Sequence, residues 1–210
     1  MAFTVISGGA LGADLEAEKL ARHYGFPLHV LMPPCHPRKA SVLPLTRQKL
    51  AEAIPITTQV AYRLNKRLTD PISLQYIHRN YHVVKQADLV MAFTCFAPER
   101  KVCMGGTGRG VEMAKVLNKV LYVYDVEQNI WFWYNPKEDF FYACEMSEEQ
   151  YALPTLVEKT AIIGVRNIYD YPLALSTHLS YYLFYKKDSV RYGHSKENLC
   201  FLFHAHSAIL

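Results

Sequence analysis

The 210-residue sequence predicts an α/β fold: a doubly wound, mostly parallel sheet with helices on both faces and a small aromatic β excursion. A strand, a glycine-rich segment and a helix follow one another twice, in residues 3–24 and again in residues 88–117. Strands that alternate with helices form parallel sheets, and right-handed crossovers make the doubly wound arrangement the simplest topology. Half of the residues are hydrophobic and 20% are charged, which is the composition of a chain that can bury a core.

The first unit opens with a short apolar run, Phe3–Ser7, which stops at a pair of glycines. Apolar residues then recur at helical spacing from Gly12 to Tyr24, and this periodicity predicts a helix. Leu28–Leu31 is a second predicted strand. We expect the Pro-rich and basic residues 32–46 to form a surface loop.

Helical patterns fill the next part of the chain. Residues 46–67 have helical spacing interrupted by Pro55, and residues 73–87 have it again, so two or three helices are expected here. Residues 88–94 then form a continuous apolar run, which is typical of a central strand buried on both faces.

A second glycine loop, Gly105–Gly110, precedes a predicted helix at residues 111–117 and a predicted strand at residues 120–124. Two aromatic runs, at residues 130–134 and 140–144, flank a turn-like sequence and predict a hairpin-like insertion over about residues 130–145. The aromatic set is expected to form a packing or dimer surface.

The last core strand is predicted at residues 160–165, which closes a first domain at residues 1–168. Residues 169–210 are a C-terminal extension without clear periodicity. Disorder, partner binding and an atypical terminus remain open for it.

The net charge is +4, and the last 25 residues contribute four basic and two acidic side chains to it. The remaining chain is therefore close to neutral, so a nucleic-acid partner is not expected. Five scattered cysteines argue against a disulfide framework and against a four-cysteine zinc site. Without a signal sequence or a membrane-length apolar run, the expected location is cytoplasmic, with reduced thiols and no membrane contact.

The first glycine segment, Ser7–Asp14, leads directly into a helix. The first N–H groups of a helix have no intrahelical partner, so with the helix dipole they form an anion site. The alternative is a tight turn in which Asp14 caps the helix.

The second segment has the same predicted geometry and adds Arg109 and Glu112. It matches neither the P-loop nor the dinucleotide-binding fingerprint. Glu112, in the expected first helical turn, would complement the dipole, contact a ribose hydroxyl, or serve as nucleophile or base.

Together, Ser7–Asp14, Arg79-Asn80, residues 87–92 and Gly105–Glu112 resemble the SLOG superfamily over roughly residues 3–125. This group includes the Lonely Guy phosphoribohydrolases, the lysine decarboxylase-like proteins and DNA processing protein A. The resemblance implies a Rossmann-like nucleotide-binding domain and favours a homodimer. We expect no cofactor and no metal.

The phosphoribohydrolase signature is Pro-Gly-Gly-x-Gly-Thr-x-x-Glu, and here Met104 stands in place of its Pro and Arg109 in place of its Thr. The resemblance implies that Glu112 and Arg79 are catalytic. It also implies a set of residues that bind nucleotide or phosphate: Gly8, Gly9, Gly12, Asp14, Gly105, Gly106, Thr107, Gly108 and Arg109.

Two functions follow from this resemblance. As an enzyme, the protein would hydrolyse the N-glycosidic bond of a nucleoside 5′-monophosphate, with Glu112 stabilising an oxocarbenium-like transition state. As a sensor, it would bind a nucleotide or nucleotide derivative without turnover. Single-stranded DNA binding is a third hypothesis, against which the near-neutral charge argues.

Other candidate residues have weaker support. His78 and His82 have a spacing that can bind metal, but they have no obvious third ligand and suit a solvated helix face. Cys95 and Cys103 lie shortly before the second glycine segment, where a thiol could act as a nucleophile. The sequence identifies no base that would activate either thiol.

Overall fold

A computed structural model of the protein describes residues 3–36, 43–67, 70–97, 102–103, 105–144 and 159–164. The strands are β1 (Thr4–Ser7), β2 (Leu28–Met32), β3 (Leu43–Pro44), β4 (Leu89–Thr94), β5 (Phe96–Ala97), β6 (Val102–Cys103), β7 (Val120–Asp125), β8 (Ile130–Asn135), β9 (Phe140–Cys144) and β10 (Lys159–Gly164). The helices are α1 (Ala13–Tyr24), α2 (Arg47–Ala51), α3 (Ile54–Arg63), α4 (Pro71–Gln86) and α5 (Gly105–Val116).

Eight strands form one sheet in the order β3-β2-β1-β10-β4-β7-β8-β9, and β5 pairs with β6 in a separate two-stranded ribbon. In this order the neighbours β3-β2-β1-β10-β4-β7 pair in parallel, whereas β8 pairs antiparallel with β7 and with β9. The predicted α/β class and the mostly parallel sheet are therefore confirmed.

The predicted last core strand is confirmed, and it lies at the centre of the sheet. β10 pairs with β1 on one side and with β4 on the other. Because these strands are parallel, their carboxyl ends meet at one edge of the sheet, which is the usual ligand-binding edge of an open α/β fold.

Helices cover both faces, as predicted. On one face Ala13, Ala17 and Ala21 of α1 pack in a cluster that includes Val5, Met91 and Ile162 of the sheet. On the other face α3, α4 and α5 pack over residues that include Ile6, Val90, Val123 and Ala161. The side chain of Asp70 caps α4 by accepting a 2.7 Å hydrogen bond from the Ser73 N–H.

The expected interruption of the helical pattern is confirmed, since α2 ends at Ala51 and α3 begins at Ile54; Pro55 itself lies in the first turn of α3. Proline is tolerated there, where its missing N–H would have no intrahelical partner. The predicted surface loop at 32–46 is wrong at both ends: Met32 completes β2, and Leu43–Pro44 adds an edge strand beside it. Residues 37–42 lie outside the described residues.

The aromatic hairpin is confirmed as β8 and β9, but it is not an excursion, because β8 pairs with β7 and extends the main sheet. Its aromatic set divides between the core and the surface. Four members are buried: Trp131, Phe132, Tyr134 and Phe141. Three are exposed: Trp133, Phe140 and Tyr142. Packing is therefore confirmed for the first group, and self-association through the second stays a prediction.

The C-terminal extension at residues 169–210 lies outside the described residues, and the predicted domain boundary stays a prediction. No helix in the described ranges combines the length and the apolar character that crossing a membrane requires.

Candidate functional site

The guanidinium of Arg79 lies on the glycine segment that follows β1. A Cβ atom on Gly8 would collide with Nη1 of Arg79 and would lie 2.9 Å from Oδ2 of Asp14. Gly9 and Gly12 have φ angles of +68° and +91°, which other residues rarely adopt. Glycine is therefore required at positions 9 and 12 by the backbone conformation, and at position 8 by the close approach of Arg79.

Arg79 and Asp14 form a buried ion pair with 3.5 Å between Nη1 and Oδ2. The same Oδ2 accepts a 3.2 Å hydrogen bond from the Ala10 N–H. Burial raises the pKa of Asp14 from 3.8 to about 6, although the charge of Arg79 and the Ala10 hydrogen bond act in the opposite direction. Asp14 is not a helix cap, because α1 begins after Gly12 without a side-chain cap.

Sequence reasoning missed two residues that hold this segment in place. The Ser7 hydroxyl donates to Oε1 of Glu18 at 3.0 Å and accepts the Gly9 N–H at 2.9 Å. Glu18 is fully buried, and its other oxygen lies 3.6 Å from Nη2 of Arg22. One signal was present in the sequence: Glu18 follows Asp14 by four residues and so lies on the same face of α1.

The second glycine segment is not a loop, since α5 already begins at Gly105. A Cβ atom on Gly108 would collide with the carbonyl oxygen of Cys103, and one on Gly110 would lie 2.7 Å from Cδ1 of Ile163. Glycine disfavours helix on propensity alone. Here close packing against β6 and β10 overrides that propensity, so the helix extends through the glycines.

The N-terminus of α5 carries the other predicted phosphate contacts. Gly105 and Gly106 are exposed, Thr107 and Gly108 are buried, and Arg109 is half-buried. The first N–H groups of this twelve-residue helix have no intrahelical acceptor, so the expected anion site moves from a loop to a helix N-terminus.

Glu112 is the eighth residue of α5, so its predicted place in the first turn is wrong. Its Oε1 lies 3.1 Å from Nζ of Lys115 and its Oε2 lies 3.7 Å from Nη1 of Arg63. Lys115 also reaches Oδ1 of Asp139 at 3.1 Å and lies 5.1 Å from the ring centroid of Tyr134. Glu112 and Lys115 therefore form the buried part of a polar cluster that joins α5 to α3 and to the hairpin through the exposed side chains of Arg63 and Asp139.

The structure thus assembles the predicted residues into two groups. Gly8, Asp14 and Arg79 are in contact beside β1. Gly105 and its neighbours begin α5, on the face of the sheet that α4 also covers. The two predicted catalytic residues form separate ion pairs. Arg79 pairs with Asp14, whereas Glu112 pairs with Lys115 and Arg63.

The structure also describes the surroundings of the weaker candidates Cys95, Cys103 and His82. Burial and a hydrogen bond to Glu127 raise the pKa of Cys95 to about 11, and burial also raises the pKa of Cys103. Both thiols are therefore protonated and poorly nucleophilic at neutral pH. His82 is buried rather than solvated, with Nε2 2.6 Å from the Lys49 carbonyl oxygen. Within the described ranges, no three His, Cys, Asp or Glu side chains are arranged to hold a metal ion.

No family model and no curated protein sequence matches this chain. A solved structure from Syntrophus aciditrophicus SB, described as a putative molybdenum carrier protein, is similar in fold, with a TM-score of 0.52 and 15% sequence identity. The similarity covers 88% of this chain and 94% of that chain. At this level of identity the likeness establishes a shared Rossmann-like α/β fold.

Proposed function

We propose that the protein binds a nucleotide or nucleotide derivative at the carboxyl edge of its sheet, with the phosphate near Arg79 and the N-terminus of α5. The observation that carries this proposal is the placement of the Arg79 guanidinium on Gly8, beside α1. A buried arginine at the end of a parallel strand, next to a helix N-terminus, has the charge and geometry that suit a phosphate.

Asp14 is the ion-pair partner of Arg79. The ion pair is long, with 3.5 Å between Nη1 of Arg79 and Oδ2 of Asp14, so a closer anionic partner would interact more strongly with the arginine. A phosphate brings more negative charge than one carboxylate and accepts bidentate hydrogen bonds from arginine. Arg79 would therefore turn towards the ligand, and Asp14 would keep its hydrogen bond from Ala10.

Binding without turnover is the form of this function that the contacts of Glu112 support. Both of its carboxylate oxygens face cations, Lys115 and Arg63, within the structure itself. A carboxylate that stabilises an oxocarbenium-like transition state needs an oxygen directed at the sugar. Hydrolysis of the N-glycosidic bond would require Glu112 to leave at least one of these cations.

Transport of a metal oxyanion is a second candidate, favoured by the fold shared with a protein described as a molybdenum carrier. Molybdate is tetrahedral and doubly charged, as phosphate nearly is at neutral pH. The glycine segment and the two helix N-termini suit either anion. Only a nucleotide would also require contacts for a sugar and a base.

Calorimetric titration separates these possibilities when AMP, GMP, CMP, UMP, inorganic phosphate and molybdate are each added to the purified protein. We expect at least one mononucleotide to bind more tightly than phosphate or molybdate. Arg79→Gln should weaken that binding by roughly tenfold or more, because a charge-assisted hydrogen bond is lost. Arg47→Gln, which changes an exposed arginine on α2, is the matched control. Tighter binding of molybdate than of any nucleotide would favour the oxyanion candidate instead.

Chromatographic detection of free base, after incubation with the same mononucleotides, tests turnover. A binding module releases no base above the rate of the protein-free solution. Release that is abolished by Glu112→Gln and retained by Glu52→Gln, at an exposed carboxylate, would establish the enzyme.

A further inference from the structure

Asp125 is the last residue of β7 and lies at the carboxyl edge of the sheet. In the parallel register it pairs with Thr94, the last residue of β4. Both side chains are fully buried. Neither residue drew attention in the sequence, because Asp125 directly follows an apolar strand and resembles the beginning of a turn.

One oxygen of this carboxylate is satisfied and the other is not. Oδ1 accepts a 3.0 Å hydrogen bond from the Glu127 N–H. Oδ2 is buried and has no hydrogen-bond partner within the part of the chain that the structure describes. A buried acceptor without a donor costs folding free energy, and a charged one costs more.

The other buried carboxylates are compensated. Asp14 pairs with Arg79, Glu18 accepts from Ser7, and Glu112 pairs with Lys115. Asp125 makes no such ion pair among the described residues. Its charge instead adds to that of Glu127 in raising the pKa of the Cys95 thiol. A fold that satisfies its other buried acids and leaves one oxygen open marks that oxygen as a place where a ligand donor is missing.

The position of Asp125 indicates which part of a ligand would reach it. Its strand β7 pairs in parallel with β4, and in the ribbon that follows β4, Phe96 pairs with Cys103, two residues before the start of α5. In the proposed function the N-terminus of α5 faces a phosphate, so the next part of the ligand is the sugar. Carboxylates at strand ends are suitable acceptors for the hydroxyl groups of a ribose.

We infer that Oδ2 of Asp125 accepts a hydrogen bond from a ribose hydroxyl of the bound nucleotide. This inference rests on the proposed function, and it specifies that function as recognition of ribonucleotides rather than of nucleotides in general. Asp125 is a binding residue in this assignment and takes no part in bond cleavage.

Titrations with the tightest-binding ribonucleoside monophosphate and with its 2′,3′-dideoxy form test the inference. The wild-type protein should bind the ribonucleotide at least about tenfold more tightly, because a hydrogen bond to a buried charge is lost in the analogue. Asp125→Asn keeps the acceptor for the Glu127 N–H but removes the charge, so the difference between the two ligands should shrink to about twofold. Asp88→Asn, at an exposed carboxylate before β4, should leave the difference unchanged.

The outcomes are distinguishable. Failure of the wild-type protein to bind any mononucleotide overturns both the proposed function and this inference. Equal binding of the two ligands by the wild-type protein overturns this inference alone, and does so even if Asp125→Asn does not fold. An Asp125→Asn protein that still discriminates tenfold also overturns it.

Discussion

The hydroxyl of Ser7 donates a 3.0 Å hydrogen bond to a carboxylate oxygen of Glu18, eleven residues later in the chain. The bond joins the end of β1 to the second turn of α1 and spans the glycine segment between them. Since the same hydroxyl accepts the Gly9 N–H, Glu18 acts on the segment through Ser7. It is a positioning residue for the candidate site.

Removal of the Glu18 carboxylate should therefore destabilise the protein. In Glu18→Ala the buried Ser7 hydroxyl loses its hydrogen bond to a charged acceptor and keeps only the longer contact, 3.3 Å, with the Asp14 carbonyl oxygen. We expect about 1–3 kcal/mol less free energy of unfolding, measured by urea denaturation. Glu16→Ala removes a carboxylate of the same helix whose ion pair with Lys19 is at the surface, so it should cost less than about 1 kcal/mol. Equal losses in the two variants would show that Glu18 has no special role.

A methyl group at position 8 should destabilise the folded protein, mainly because it would collide with Arg79. Gly8→Ala would collide with the guanidinium, and overpacking of this kind costs about 1–3 kcal/mol. In an Arg79→Ala background the same substitution should cost less, since the guanidinium is gone and only Oδ2 of Asp14, 2.9 Å from the new Cβ, remains close. A double-mutant cycle on the free energies of unfolding measures this coupling. Additive effects would contradict the contact between the two residues.

The glycines of α5 should divide into packing and exposed positions. A Cβ atom on Gly108 would collide with the Cys103 carbonyl oxygen, whereas one on Gly106 would meet nothing within 4 Å. Gly108→Ala should thus lower the melting temperature by several degrees, and Gly106→Ala should leave it unchanged or raise it slightly. If Gly106→Ala nevertheless weakens nucleotide binding in the calorimeter, the first turn of α5 is part of the ligand site.

The raised pKa of Asp14 predicts a pH dependence of stability with a definite sign. The folded pKa, about 6, lies above the value of 3.8 for an unperturbed carboxyl, so the unfolded state loses its proton first as the pH rises. This contribution to stability is fully present below pH 3.8 and disappears as the pH rises through about 6. The loss amounts to at most about 3 kcal/mol.

Urea denaturation of the wild-type protein and of Asp14→Asn at a series of pH values checks this prediction. The variant should gain stability relative to the wild type between pH 4 and pH 6, with a constant difference above pH 7. Asp88→Asn, at an exposed carboxylate, controls for the loss of one negative charge. A flat difference for Asp14→Asn would place the pKa of Asp14 near its ordinary value.

Local patterns predicted most elements because each one carries its own periodicity or composition. The run Phe3–Ser7, its glycines and the following helix belong to one continuous segment, and the structure reproduces them. The start of α5 was misplaced, since helix propensity argues against the glycines there and only the contacts with Cys103 and Ile163 explain them.

The candidate site was only partly predictable for a related reason. Arg79 and Asp14 were identified one at a time, but their contact joins residues 65 positions apart. Glu18 and Lys115 resembled ordinary charged positions on helix surfaces, and only tertiary packing buries them. Asp125 differs from a turn residue solely by the burial of its two oxygens, which no sequence pattern specifies.

The central place of β10 has a consequence for synthesis of the chain on the ribosome. Until residues 159–164 leave the ribosome, β1 and β4 each have an unpaired edge. The remaining strands of the eight-stranded sheet all precede β10 in the chain and have already been synthesised. Such edges are prone to aggregation, so nascent chains that stall before residue 159 are the species in which a chaperone would find exposed strands.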